Sequence, residues 1–243
     1  ATRLLGFSDP HYYAPTLGTA GPAFAGAVAA DRKLIAESDA ILRALVDLVA
    51  ADAPAFVLVP GDLTKDGERQ SHEAMAAYLR QVEAQGRQVL VVPGNHDVQN
   101  GDASSYADDT VTPVDAISAN DFAGLYQDFG YRDALARDPA SLSYLAELVP
   151  GLWLLALDSC IYGDTRGSSA TSGRFTDQTK AWIKAQLDRA ARYRVRVLAM
   201  MHHGLVEHFG SQGLIFPEYL VAERDAVGAL LIDGGVGAVF TGH

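Results

Sequence analysis

Short apolar runs alternate with stretches of helical period along this chain, and that alternation predicts an α/β protein. The apolar residues of RLLGFS read as a buried strand, and the DPHYYAPTLGTAGPAFAG that follows reads as a Pro/Gly-rich loop. From Asp31 the period changes. Leu34, Ile35, Ser38, Ile41, Leu42, Leu45, Val46 and Val49 recur at helical spacing and predict an amphipathic helix to about Ala51. AFVLV is a second buried strand ending in PGDLTKDG; a helix over about Glu68–Ala84, closed by Gly86, leads to a third strand, QVLVV, ending in PGNHD.

The middle of the chain is less regular. Residues 98–118 are polar and turn-rich, and Ser118 is placed to cap a short helix in ANDFAGLYQDFG. SLSYLAE and GLWLLALDS, separated by Pro150 and Gly151, predict neighbouring strands, and a Gly/Ser-rich loop follows. Thr176 is a cap for the helix in DQTKAWIKAQLDRA; RVRVLAMM is another strand, ending at HHG; a helix over about Glu223–Ile232 precedes a terminal strand. Repeated strand–loop–helix order with continuous apolar strands implies a sheet buried on both faces. With no internal repeat or linker, residues 1–243 read as a single domain.

Composition changes this picture little. The chain is 49% apolar and 20% charged, ordinary for a soluble globular protein. A net charge of −11 with scattered Lys and Arg argues against binding a nucleic acid polymer, although bound metal cations could still attract a small phosphate ester. Cys160 is the only cysteine, which removes disulfides within the chain and cysteine-rich zinc sites. The best apolar run, GLWLLALDSC, is too short for a membrane-spanning helix. The first residue is Ala1 rather than Met, and no compartment is read from it.

The histidines carry the chemistry. His11 follows the first strand, His96 the third, His202 and His203 a late strand, and His243 the last. Asp9, Asp62, Asn95 and Asp97 occupy the same strand ends. Ligands of open α/β sheets bind beyond the carboxyl ends of strands, and nitrogen and oxygen donors converging there suit a transition metal better than a calcium or magnesium cage. DPH, PGD and HHG are each weak signals alone; GNHD is stronger, because a turn has no use for His-Asp directly after Gly-Asn.

Taken in order, these blocks resemble the calcineurin-like metallophosphoesterases, whose pattern runs D-x-H, G-D, G-N-H-[DE], H and G-H-x-H. Here they read Asp9-Pro10-His11, Gly61-Asp62, Gly94-Asn95-His96-Asp97, His202 and Gly242-His243. The resemblance implies a two-sheet mixed β-sandwich flanked by helices and a site for two transition metals, manganese or iron foremost and zinc third. It implies that Asp62 bridges the two ions, that Asp9 and His11 serve one, and that Asn95, His202 and His243 serve the other. The last histidine of the pattern would fall two residues beyond His243. The natural chain is therefore expected to run on into further strands, and the Asp9/His11 metal to bind more weakly in this one.

The resemblance also implies catalytic roles. His96 would face the substrate and protonate the leaving oxygen, with Asp97 orienting it; Asn95, His96 and His203 would touch the substrate. The hydroxide held between two metals would attack phosphorus in line. Purple acid phosphatases carry a metal-binding tyrosine where this chain has Lys65, so that subclass is not expected. D-x-H, GNHD and the stretches GDLTKDGERQSHEAM and DFGYRDAL are closest to bacterial class III cyclic-nucleotide phosphodiesterases, in an exported branch. The expected substrate is a cyclic nucleotide or similar small phosphodiester. A phosphomonoester, a phospholipid head group, or a non-catalytic scaffold are the alternatives. His72 and His208 are expected on the surface, and Tyr12, Tyr13 and loop 161–173 around a base pocket.

Overall fold

The computed structural model describes residues 2–162 and 170–243. Two sheets form the centre. The first is fully parallel, in the order β1 (Leu4–Gly6), β2 (Phe56–Pro60), β3 (Gln88–Val92). Leu4 pairs with Phe56, and Phe56 with Gln88. The second is mixed and runs β10 (Val236–Phe240), β9 (Arg196–Met201), β8 (Leu152–Leu157), β7 (Tyr144–Val149), β6 (Ala136–Arg137). β8, β9 and β10 are parallel, while β7 and β6 join antiparallel. A separate hairpin is made by β4 (Ser104–Ala107) and β5 (Thr110–Pro113).

Side-chain alternation along β8 shows how the sheets pack. Leu154 and Ala156 belong to a core shared with Val57, Val59, Leu90 and Met200, between the two sheets. Trp153, Leu155 and Leu157 face the other way, onto Ile183 and Leu187 of α5 (Asp177–Tyr193) and onto Leu231 of α7 (Arg224–Asp233). On the outer side of the first sheet lie α2 (Ser38–Asp52) and α3 (Arg69–Glu83). α2 buries Ser38, Leu42, Val46 and Val49, one stripe at helical period. Both faces of the parallel strands are therefore covered, as their continuous apolar character requires.

Caps fix several of the expected boundaries. α4 (Ala119–Leu125) starts at a capping box in which Ser118 Oγ accepts from the Asp121 N–H and the Asp121 carboxylate accepts from the Ser118 N–H. Thr176 Oγ1 accepts from the Thr179 N–H at the start of α5.

Two expectations fail early in the chain. Residues Gly21–Ala30 form a helix, α1, that begins inside the stretch read as loop and runs on past its end. Pro22 lies in its first turn, where a missing N–H costs nothing, and the alanine-rich run after it has high helix propensity. α2 begins at Ser38 rather than Asp31, which leaves Leu34 exposed instead of on the apolar stripe. A short helix, α6 (Gln212–Ile215), lies between β9 and α7. Among the described residues, no helix is long and apolar enough to cross a membrane.

Candidate metal centre

β1, β2, β3, β9 and β10 all end at one edge, and their loops interlock there. The Asp9 N–H donates to Gly61 O and the His11 N–H to Asp62 O, each at 3.1 Å, tying the first loop to the second. The Gly242 N–H donates to His202 O at 3.0 Å, and the His243 N–H reaches both oxygens of Asp9 at 3.0 and 3.1 Å, closing the second sheet onto the first.

Asp9, His11, Asp62 and His243 all have left-handed backbone, with φ of 55°, 41°, 51° and 72°. Strain of this kind gathers where side chains must be aimed at a ligand. Gly94 is equally constrained by space: a Cβ there would lie 2.2 Å from both the backbone N and Oδ1 of Asp62.

Two donor groups result, and they share one carboxylate. Asp9, His11 and Asp62 place ligand atoms within 4.8 Å of one another, as do Asp62, His202 and His243. Asn95 joins the second group, its Oδ1 3.1 Å from His202 Nε2. His202 Nδ1 donates to Pro60 O at 2.9 Å, which leaves Nε2 as the nitrogen that could take a cation in place of its proton. That nitrogen faces Asp62 Oδ2 at 3.3 Å and His243 Nδ1 at 3.0 Å. Among the described residues, the buried His11 Nδ1 and His243 Nε2 have no hydrogen-bond partner. Lone pairs crowded together with so few donors fit two cations bridged by Asp62.

The electrostatics follow from this crowding. Burial alone would raise the Asp62 carboxyl, but the His202, His96 and His11 rings hold it well below the usual carboxylate range. Burial pulls His202 down and the Asp62 carboxylate more than offsets that, leaving it raised to about 9. Burial and the neighbouring His202 lower His243 to about 4.

His96 stands beside the donor groups with its side chain partly exposed. Its backbone N–H donates to Asp62 Oδ1 at 3.0 Å, and its Nδ1 lies 2.8 Å from Asp66 Oδ1 and 3.1 Å from Lys33 Nζ, the shorter contact to the acceptor carboxylate favouring a proton on Nδ1. Burial works against its charged form, but the Asp66 hydrogen bond raises its pKa. The expected pairing with Asp97 is corrected here. Asp97 closes the turn that begins at Gly94, so its side chain points inward while that of His96 points out. The Asp97 carboxylate accepts the N–H groups of Gly94, Leu63 and Thr64 at 2.8, 3.1 and 3.0 Å, together with the Thr64 hydroxyl. It joins the loops after β2 and β3, whereas Asp66 orients His96.

Asp66 is the residue that sequence reasoning missed. It lies four residues after Asp62, in the same loop, and every partner it has is a donor. Lys65 Nζ binds its Oδ2; Lys33 Nζ and Asn100 Nδ2 approach Oδ1, each at 3.4 Å. Burial pushes Asp66 up, but His96 and both lysines hold it far below the usual carboxylate range. Lys65 is thus committed to Asp66, at the position where a purple acid phosphatase would present a phenolate.

Three further expectations change. His203, expected to touch substrate, is fully buried: Nδ1 meets Ser159 Oγ at 2.8 Å and Nε2 donates to Thr171 O at 2.9 Å, so both nitrogens are used within the protein. His72 is not on the surface but fully buried, where desolvation lowers it to about 3; His208 is exposed as expected. Tyr12 and Tyr13 pack into the core, with their hydroxyls on Asp39 and on Leu17 O, instead of lining a base pocket. Residues 163–169 of the loop assigned to that pocket lie outside the described residues.

Comparison with known proteins agrees with this geometry. No curated protein sequence matches the chain. Among solved structures, a dimetal phosphatase from Danio rerio superposes with a TM-score of 0.61 at 15% identity, covering 96% of this chain and 77% of that one. A purple acid phosphatase, PPD1, from yellow lupin (Lupinus luteus) seeds superposes with a TM-score of 0.52 at 17% identity, over 100% of this chain and 37% of that one. At such identities the likeness is one of fold. The model of the family described as calcineurin-like phosphoesterase matches residues 2–243, so the chain belongs to that family.

Proposed function

We propose that this protein is a two-metal phosphodiesterase that hydrolyses cyclic nucleotides or similar small phosphodiesters. The observation that carries this reading is the pair of donor groups meeting at Asp62, with the His96–Asp66 pair directly beside them. Asp9, His11 and Asp62 would hold one ion, and Asp62, Asn95, His202 and His243 the other. Two bound transition metals, manganese or iron foremost, would supply Lewis acidity to the phosphoryl oxygens and a nucleophile at neutral pH.

The chain's own residues supply the rest. Asp66 fixes the His96 tautomer with a proton on Nδ1, which leaves Nε2 to face the reacting group. A second proton, on Nε2, is favoured by Asp66 and Asp62 against the opposing charge of Lys33, and can pass to the departing ester oxygen. A scaffold that only bound metal would have no use for a buried carboxylate and two lysines arranged behind His96.

Relative rates on two substrates test the reading. The manganese-loaded chain is expected to cleave bis-p-nitrophenyl phosphate and a 3′,5′-cyclic nucleotide faster than p-nitrophenyl phosphate. Turnover of the monoester alone would overturn the diesterase assignment, and turnover of none would overturn the catalytic one.

A further inference from the structure

One buried network has no part in the chemistry above. His72, on α3, and Tyr126, which follows α4, are both fully buried with polar atoms directed at each other: Tyr126 Oη lies 2.8 Å from His72 Nδ1. The other ring nitrogen, Nε2, lies 2.9 Å from the backbone oxygen of Asp97 and 3.2 Å from Thr64 Oγ1.

The proton positions follow from what each partner can do. A backbone carbonyl only accepts, so Nε2 carries the ring hydrogen. Nδ1 is then the acceptor and the tyrosine hydroxyl its donor. Thr64 donates its own proton to Asp97 Oδ1, at 3.0 Å, and accepts the Gly67 N–H at 3.1 Å. The polarity therefore runs one way, from Tyr126 through His72 to Asp97 O, with every group satisfied. All four residues are wholly removed from solvent, so a broken link would leave a buried polar atom unpaired.

The far end of this chain of bonds is what matters. Asp97 follows Asn95 and His96, and Thr64 lies two residues after Asp62. One ring nitrogen thus meets both loops from below, one at the Asp97 backbone oxygen and the other at the Thr64 hydroxyl. We infer that His72 and Tyr126 are positioning residues for the metal centre: they hold the Asp62 loop and the Asn95–His96 loop at the separation that two bridged metals require. This rests on the two-metal reading above, and it gives a purpose to a histidine that no ligand set includes.

Metal affinity, measured by chelator competition with manganese on the metal-stripped chain, tests it. His72→Phe keeps the ring volume and removes both hydrogen bonds; its manganese dissociation constant is expected to rise about tenfold or more, as loss of outer-shell support typically does. His72→Gln, whose amide can donate to Asp97 O and accept from Tyr126, is expected to recover most of the loss. Leu79→Ala removes a buried side chain from the same face of α3 and is expected to lower the melting temperature while leaving metal affinity unchanged. Wild-type affinity in folded His72→Phe, or an equal loss in Leu79→Ala, would overturn the inference. If His72→Phe does not fold, Tyr126→Phe decides: a weakening of several-fold supports the inference and an unchanged constant overturns it. A wild-type chain that binds no manganese would instead overturn the two-metal reading.

Discussion

Replacing Asp66 with Asn isolates the electrostatic support of His96. All partners of this carboxylate are donors: His96 Nδ1–H, both lysine ammoniums and the Asn100 amide. Whichever way the new amide turned, its NH₂ group would face another donor. A hydrogen bond to a charged group contributes about 1.5–3 kcal/mol, and Lys33 and Lys65 already draw on the same negative charge, so roughly 2 kcal/mol is the expected loss at His96. If that support is felt only when His96 passes its proton on, kcat falls about 30-fold.

The assay is steady-state hydrolysis by manganese-loaded protein of two diesters with different leaving groups. A cyclic nucleotide releases a sugar hydroxyl that needs a proton, whereas bis-p-nitrophenyl phosphate releases a stable phenolate. Asp66→Asn is therefore expected to slow the first much more than the second. Unchanged kcat on the cyclic nucleotide, or an equal loss on both, would refute the assignment of Asp66 and His96 as an acid pair.

Two more predictions concern the frame around the site. Gly94→Ala places a Cβ 2.2 Å from the backbone and side chain of Asp62; such a variant should lose metal binding, and normal metal content by atomic absorption would show that the loops can yield. Glu68 is fully buried, and desolvation together with Asp66 raises it from 4.5 to about 7. Between those values the folded chain keeps a proton that the unfolded chain has released, so stability falls as pH rises through this window, by about 3 kcal/mol in all. Glu68→Gln removes that penalty. It should melt higher than wild type at pH 8 and close to it at pH 4.5, and the same difference at both pH values would contradict the sign.

How much of this was legible in the sequence depends on distance along the chain. Strand ends were legible, because AFVLV, QVLVV and the run before HHG are continuous apolar segments that stop at Pro-Gly or at His. The residues clustered at Asp62 could be named for the same reason. Asp97 was misread because neighbours in sequence need not be neighbours in space; the tight turn from Gly94 sends it inward and leaves Asp66, from another loop, to reach His96. α1 was hidden by Gly21 and Pro22, residues that suit a loop and a first helical turn alike. His72 did leave a signal. It shares the helical stripe of Met75, Ala76 and Leu79, which marks it as an inward-facing position.

The most direct test of the central claim is a metal titration. Protein stripped by a chelator, then given manganese in steps, should hydrolyse bis-p-nitrophenyl phosphate only as metal is added, with activity levelling off near two equivalents per chain. Full activity in the stripped protein, or saturation of two metal sites with no hydrolysis of any diester, would contradict it.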